Sequence, residues 1–227
     1  MMDAPFGNQL SYRYASRRSV VHGRRGMTAA SQPLAAQAGL DILRRGGNAV
    51  DAAVAMAATL TVVEPTSNGI GGDAFALVWD GARLHALNAS GPAPAALSLE
   101  RLPRGADGSA YLDPHGWEAV TVPGIPAAWA ALSKRFGRLP FAELFRDAVA
   151  YAREGHPVAP IVAKYWDRAV RAWTPRLRDA RYARWFDVFA PEGRAPGPGE
   201  TWKSESHAGT LEELAATGAE TFYRGAL

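Results

Sequence analysis

The sequence predicts a mixed α+β chain, and three patterns carry that prediction. Two helical periods follow each other directly, from Leu34 to Arg45 and from Ala49 to Val63. A strict alternation of Phe75, Leu77 and Trp79 closes on Asp80-Gly81 and reads as one arm of a hairpin. Beyond it, helical segments open on proline and stop at glycine, the punctuation expected of helix ends.

In chain order, residues 1–24 are polar, arginine-bearing and without periodicity, so they are expected to be a loose lead-in to a unit spanning 25–227. Gly26 to Ala30 has the length of a short strand. In the first helix Leu34, Ala35, Ala38, Ile42 and Leu43 recur at threes and fours, and Arg44 and Arg45 suit its negative end. Gly46 and Gly47 end it. Asn48 then serves as N-cap, with Asp51 at capping-box spacing. The second helix carries only Asp51, Thr59 and Thr61 as polar residues, which marks it as buried.

The run SNGIGG (67–72) follows. Loops that cradle phosphate lead from a strand into a helix, whereas this one leads from a helix into a strand, so the order argues against nucleotide binding. Its glycines are expected to let backbone pack closely. Leu84 to Leu87 is the partner strand, and NASGPAP (88–94) must be a loop because proline and glycine stop the ladder. A helical turn is expected at Ser98 to Leu102 and a strand at Ala119 to Val122. Helices follow from Pro126 to Phe136, from Pro140 to Gly155, from Val158 to Trp173 and from Ser206 to Ala216, with a loop at Ala195 to Gly199.

With 227 residues and 48% hydrophobic content the chain can bury one sizeable core. A net charge of +3 demands neither a nucleic-acid nor a membrane partner. No cysteine is present, which removes disulfides, thiolate metal sites and a cysteine nucleophile. The longest apolar stretch, Ala49 to Val63, is too short to span a bilayer. Since the opening residues lack the apolar segment of a secretory signal, the expected setting is cytoplasmic.

From GMTAASQ through PTSNGIGGDAF (residues 26–75) the sequence closely resembles the amino-terminal region of the gamma-glutamyltransferase (gamma-glutamyltranspeptidase) family. The likeness continues in Ala93-Pro94, in VTVPGIPAAW, in FGRLPFAELFRDAVAYAREGHPV and in GAETFYRGAL. It implies an N-terminal-nucleophile hydrolase with an αββα sandwich, of which this chain is the front part, made as a self-cleaving precursor. It further implies gamma-glutamyl transfer or hydrolysis on a small amide substrate of glutathione type, with no cofactor. The nucleophile of that family is a threonine freed at the start of a small subunit, where its own amine activates it. By this likeness the threonine lies beyond Leu227, in a missing second half that is the chain's expected partner, and no catalytic residue is assigned within the chain. Thr28, Thr59, Thr61 and Thr66 have ordinary structural readings.

The resemblance also implies one binding position. The family places an arginine after the second hairpin strand, where its guanidinium fork clamps the α-carboxylate of the glutamyl donor. Aligned on Ala93-Pro94, that position is Ser90, and the acidic residue beside it is Gly91. Serine offers one hydrogen bond and no charge, so an amide or cephalosporin-type acylase with a non-glutamyl donor is an alternative, as is a non-catalytic binding chain. A plain turn residue is the other reading of Ser90.

Other constellations are weaker. His22, His85, His115, His156 and His207 show no metal-ligand spacing and are expected at the surface or in packing. Glu64 and Asp73 flank the glycine loop without a feature that pairs them, and Glu64 is expected to hold loop backbone. Arginines and aromatics interleave from Lys164 to Phe186, a pattern seen along nucleic-acid strands. Here Asp167, Asp179 and Asp187 dilute the charge, and a solvated helical face is the better reading.

Overall fold

The computed structural model describes residues 20–113 and 116–227. The main helices are α1 (Pro33–Arg44), α2 (Ala49–Val63), α3 (Ile125–Phe136), α4 (Arg146–Glu154), α5 (Pro160–Trp173) and α6 (Ala183–Phe189), with α7 (Glu205–Thr217) and the short α8 (Glu220–Arg224) at the end. Among the described residues the strands form two antiparallel pairs, β1 (Ala74–Trp79) with β2 (Leu84–Ala89) and β3 (His156–Pro157) with β4 (Thr201–Trp202).

Helix α2 is the axis of the fold. Its apolar circumference is covered by α1, α3 and α4, and Val54, Ala58, Val62 and Val63 are buried. The expected capping box at Asn48 and Asp51 is present. The buried Asp51 carboxylate also reaches across the fold, accepting from the backbone N–H groups of Arg138 (3.0 Å) and Leu139 (3.3 Å). One side chain therefore starts α2 and fixes the turn after α3. A charged acceptor that deep in a core persists only because donors surround it.

The far end of the core is aromatic. Trp166 and Trp202 meet edge to face at 5.1 Å, and Phe189 stacks on Trp202 at 6.3 Å. Both indole N–H groups donate to α6 carbonyls, Trp166 to Phe189 (2.7 Å) and Trp202 to Val188 (3.2 Å). Each ring thus buries its area without orphaning its polar edge.

In the β1–β2 hairpin Ala74 pairs with Ala89 and Trp79 with Leu84. Its small-residue face, with Ala76 and Val78, lies toward α3. The opposite face exposes Phe75 (67%), Leu77 (73%), Trp79 (64%) and Leu84 (61%). So the alternation read from the sequence is real, but its bulky side is the open one.

Several expectations shift. Gly26 to Ala30 and Ala119 to Val122 form no strand, because no described strand offers either a ladder to join; a 3₁₀ turn stands at Trp117–Ala119. Residues 98–102 make turns rather than a helix. The helix expected from Pro140 begins as a 3₁₀ segment, Phe141–Phe145, before α4. Strands β3 and β4, two residues each, are too short to leave a period, and they bury His156 against Trp202. Residues 1–19, most of the expected lead-in, and His115 lie outside the described residues.

Candidate functional site

The hairpin delivers its last residues to a cleft. Past Ala89, Ser90 donates its N–H to Asn88 Oδ1 (3.0 Å), and Gly91 turns the chain at φ +78°. This bend lies directly on the segment 121–124. Thr121 Oγ1 donates to the Ser90 carbonyl (2.9 Å), and Val122 N–H donates to the Pro92 carbonyl (2.9 Å). A β-carbon on Gly91 would stand 1.7 Å from the Val122 carbonyl oxygen, and one on Gly124 would stand 1.9 Å from that of Ala89. Backbone meets backbone here because neither position carries a side chain. The glycine loop joins the same knot, since Gly124 N–H donates to the Gly72 carbonyl (3.0 Å). Close backbone packing is the use expected of the loop's glycines, but a β-carbon on Gly69 or Gly71 would meet nothing within 4 Å. One on Gly72 would meet the Ile125 side chain at 3.3 Å and no backbone closer than 3.6 Å; the close approaches belong to Gly91 and Gly124.

The cleft over this knot has a volume of about 560 Å³. Ser90, Gly91 and Pro92 form one side, Val122 to Gly124 another, and Ala127, Ala128 and Ala131 of α3 the floor. Tyr223 also lines it; its hydroxyl donates to the Pro123 carbonyl (2.6 Å) and accepts from Ala127 N–H (3.1 Å). The half-buried Ser90 enters no side-chain hydrogen bond among the described residues, which leaves its hydroxyl available. The described lining contains no charged side chain.

Cations near the hairpin and α8 are engaged elsewhere: Arg224, next to Tyr223, pairs with Glu220 (3.0 Å). Arg83 sits in the hairpin turn, at the end opposite Ser90, with its Nε at 3.4 Å from His85 Nε2. His85 Nε2 also lies 2.6 Å from Asp80 Oδ2, and its Nδ1 lies 3.0 Å from Arg135 Nη2. The hydrogen bond to His85, helped by the N–H groups of Arg83 and Ala82, holds the Asp80 carboxyl far below the usual carboxylate range. This relay fastens the hairpin to α3 and leaves Arg83 out of the cleft.

The remaining candidates scatter. The Glu64 carboxylate accepts from the Ser31 hydroxyl and the Asn68 side-chain amide (3.2 Å), and its main-chain carbonyl accepts from the loop N–H of Ser67 (3.1 Å), so Glu64 does hold loop backbone, through its own main chain. Asp73 lines a separate hollow beside Gly69 and Gly72. His156 is buried with neither ring nitrogen hydrogen-bonded, and His207 packs on Trp202 at 5.6 Å. Burial pushes the pKa of both imidazoles down. Among the described residues, no three His, Cys, Asp or Glu side chains converge to hold a metal ion. No described helix is long and apolar enough to cross a membrane. On the arginine-rich stretch, Arg171, Arg181 and Arg184 pair with Asp167, Asp179 and Asp187.

Sequence reasoning reached Ser90 and missed its walls. Tyr223, Gly124 and the alanine face of α3 lie far from Ser90 in the chain, and only the VPGIP run hinted at a close-packed turn.

Comparison with known proteins accounts for this arrangement. The family model described as gamma-glutamyltranspeptidase matches residues 35–227. Glutathione hydrolase proenzyme 1 of Schizosaccharomyces pombe is 35% identical over 98% of this chain and 35% of its own length. Oxamate amidohydrolase proenzyme of Klebsiella pneumoniae is 37% identical over 89% of this chain and 38% of its own. The crystal structure of cephalosporin acylase from Bacillus halodurans superposes with a TM-score of 0.87 at 53% identity, over 99% of this chain and 41% of that one. The chain thus spans little more than a third of these curated relatives, and its helices and hairpin are part of an N-terminal-nucleophile hydrolase fold. On its sequence and on its backbone alike, this chain belongs to the gamma-glutamyltranspeptidase family and corresponds to the front part of the family's large subunit.

Proposed function

We propose that the chain is the N-terminal portion of an enzyme that breaks small amides through an acyl-enzyme, and that the cleft at Ser90 receives the acyl group. The nucleophile in this reading is a threonine encoded beyond Leu227. Its amine takes the hydroxyl proton, its oxygen attacks the amide carbon, and the amine portion of the substrate leaves with a proton. Water or a second amine then takes the acyl group. Gamma-glutamyl transfer or hydrolysis on glutathione-type donors follows from family membership.

A second reading of the donor rests on one observation: the described lining of the cleft carries no cation. An α-carboxylate moved out of water needs a charged partner or several donors, and Ser90 supplies one neutral hydroxyl. This favours acyl groups without that carboxylate, in keeping with the name of one relative, the cephalosporin acylase. The knot at Gly72, Gly91 and Gly124 supports the cleft as a built surface.

The test of enzyme against binding chain is direct. Chain 1–227 alone is expected to be inactive on every acyl anilide, while the product of a reading frame extended to the length of its relatives cleaves itself and turns over. A reading frame with no threonine-led second subunit would contradict the enzyme.

A further inference from the structure

Tyr223 comes from the last helix of the chain, yet it lies against residues a hundred positions earlier. Its hydroxyl bridges the Pro123 carbonyl (2.6 Å) and the Ala127 N–H (3.1 Å). The second contact has a structural reason. Gly124, the N-cap of α3, has no side chain to satisfy the helix's first N–H groups, and Tyr223 supplies an oxygen in its place.

The tyrosine is held from behind as well. Gly218 ends α7 in the left-handed region, and Ala219 stays there at φ +69°, a conformation that alanine adopts only when its surroundings impose it. Ala219 is buried, its N–H donates to the Leu214 carbonyl (2.9 Å), and Phe222 packs on the core. Helix α8 is thereby fixed on α7 with Tyr223 directed at the cleft. The part of α3 that lines the cleft beside it is alanine, at 127, 128 and 131. Leu87 and Val122 also line the cleft, but Tyr223 is the one aromatic ring in its described lining and the largest side chain there.

Resting on the reading that this cleft takes the donor's acyl group, we propose that Tyr223 is a specificity-determining residue, the end wall that sets how long an acyl group the enzyme accepts. The hydroxyl positions the ring and the ring sets the length.

The experiment uses the full-length enzyme and p-nitroanilides of acetyl, butyryl, hexanoyl and gamma-glutamyl groups. Tyr223→Ala is expected to raise the hexanoyl-to-acetyl ratio of kcat/KM by roughly tenfold or more, the range for a few methylenes entering a pocket. Tyr223→Phe keeps the ring but loses both hydroxyl bonds that position it, so its ratio is expected between those of wild type and Tyr223→Ala. Ala131→Leu, which raises the floor with Tyr223 intact, is expected to lower that ratio, so the proposal stays testable should Tyr223→Ala fail to fold. Ser90→Arg, which changes charge at the other side of the cleft, separates the two levels. If Ser90→Arg alters donor preference while Tyr223→Ala or Ala131→Leu leaves the ratio unchanged, the cleft is the acyl site and Tyr223 is not its end wall. If none of the variants alters preference, or wild type turns over no anilide, the reading of the cleft itself fails.

Discussion

Alanine at Gly124 is the sharpest perturbation of the knot beneath the cleft. Gly124 has φ −93° and ψ −18°, values open to any residue, so a substitution there adds no intrinsic backbone strain. The penalty is purely one of contact. The new β-carbon would start 1.9 Å from the Ala89 carbonyl oxygen, whereas ordinary contact begins at 3.4 Å. Neither partner is a flexible side-chain end, so the segments around Ala89 and Gly124 must separate. Separation strains or breaks the bonds from Gly124 to Gly72 (3.0 Å), from Val122 to Pro92 (2.9 Å) and from Thr121 to Ser90 (2.9 Å). Overpacking costs about 1–3 kcal/mol and each lost bond about 1 kcal/mol, which together give roughly 1–6 kcal/mol, according to how many of the three bonds break. Gly71→Ala is the control, because its β-carbon meets nothing within 4 Å. Urea denaturation of the full-length protein should show a large loss for Gly124→Ala and at most about 0.5 kcal/mol for Gly71→Ala. Activity should fall with the first and not the second. Equal stability of the two variants would refute the close approach and the positioning of Ser90 built on it.

Two further outcomes follow from the core and the open sheet face. Burial lowers the pKa of His156 and His207 below the ordinary 6.5, so in acid the unfolded chain takes up protons that the folded chain resists. Stability is then greatest above about pH 6.5 and falls as the pH drops from there toward the lowered folded values; His156→Leu should flatten the fall in melting temperature, and parallel curves for variant and wild type would contradict it. Phe75, Leu77, Trp79 and Leu84 form a contiguous exposed apolar face, so chain 1–227 expressed alone should bind a hydrophobic dye and self-associate, and Leu77→Lys should reduce both. A monodisperse, dye-silent wild-type monomer would count against that face being open.

The sequence disclosed the elements whose signals are local. Helix α2 runs from Ala49 to Val63 as its apolar run and capping residues dictate, and the hairpin turns at Gly81-Ala82, one residue on from the expected Asp80-Gly81. Gly155 and Gly218 end helices with positive φ, as their positions foretold. What stayed hidden depends on partners distant in the chain. Strands β3 and β4 exist only because residues 156–157 and 201–202 meet, and two residues cannot show a period. The reach of Asp51 to Arg138 and Leu139 leaves no mark on either segment alone. The site divides in the same way. Ser90 was accessible through the likeness of its loop to a family pattern, whereas the role of Gly91 rests on its approach to Val122 and that of Tyr223 on its reach to Pro123 and Ala127.

Donor preference measures the consequence of the charge that the described lining of the cleft lacks. Full-length wild type and Ser90→Arg are compared on a gamma-glutamyl anilide and on uncharged acyl anilides. A guanidinium at position 90 adds a charge-assisted bond to an α-carboxylate, a contribution of about 1.5–3 kcal/mol. The predicted result is that wild type favours the uncharged donors and that Ser90→Arg raises relative use of the gamma-glutamyl donor by roughly ten- to hundredfold. A wild type that already favours the gamma-glutamyl donor strongly, with nothing added by Ser90→Arg, would contradict the assignment of this cleft and of Ser90 within it.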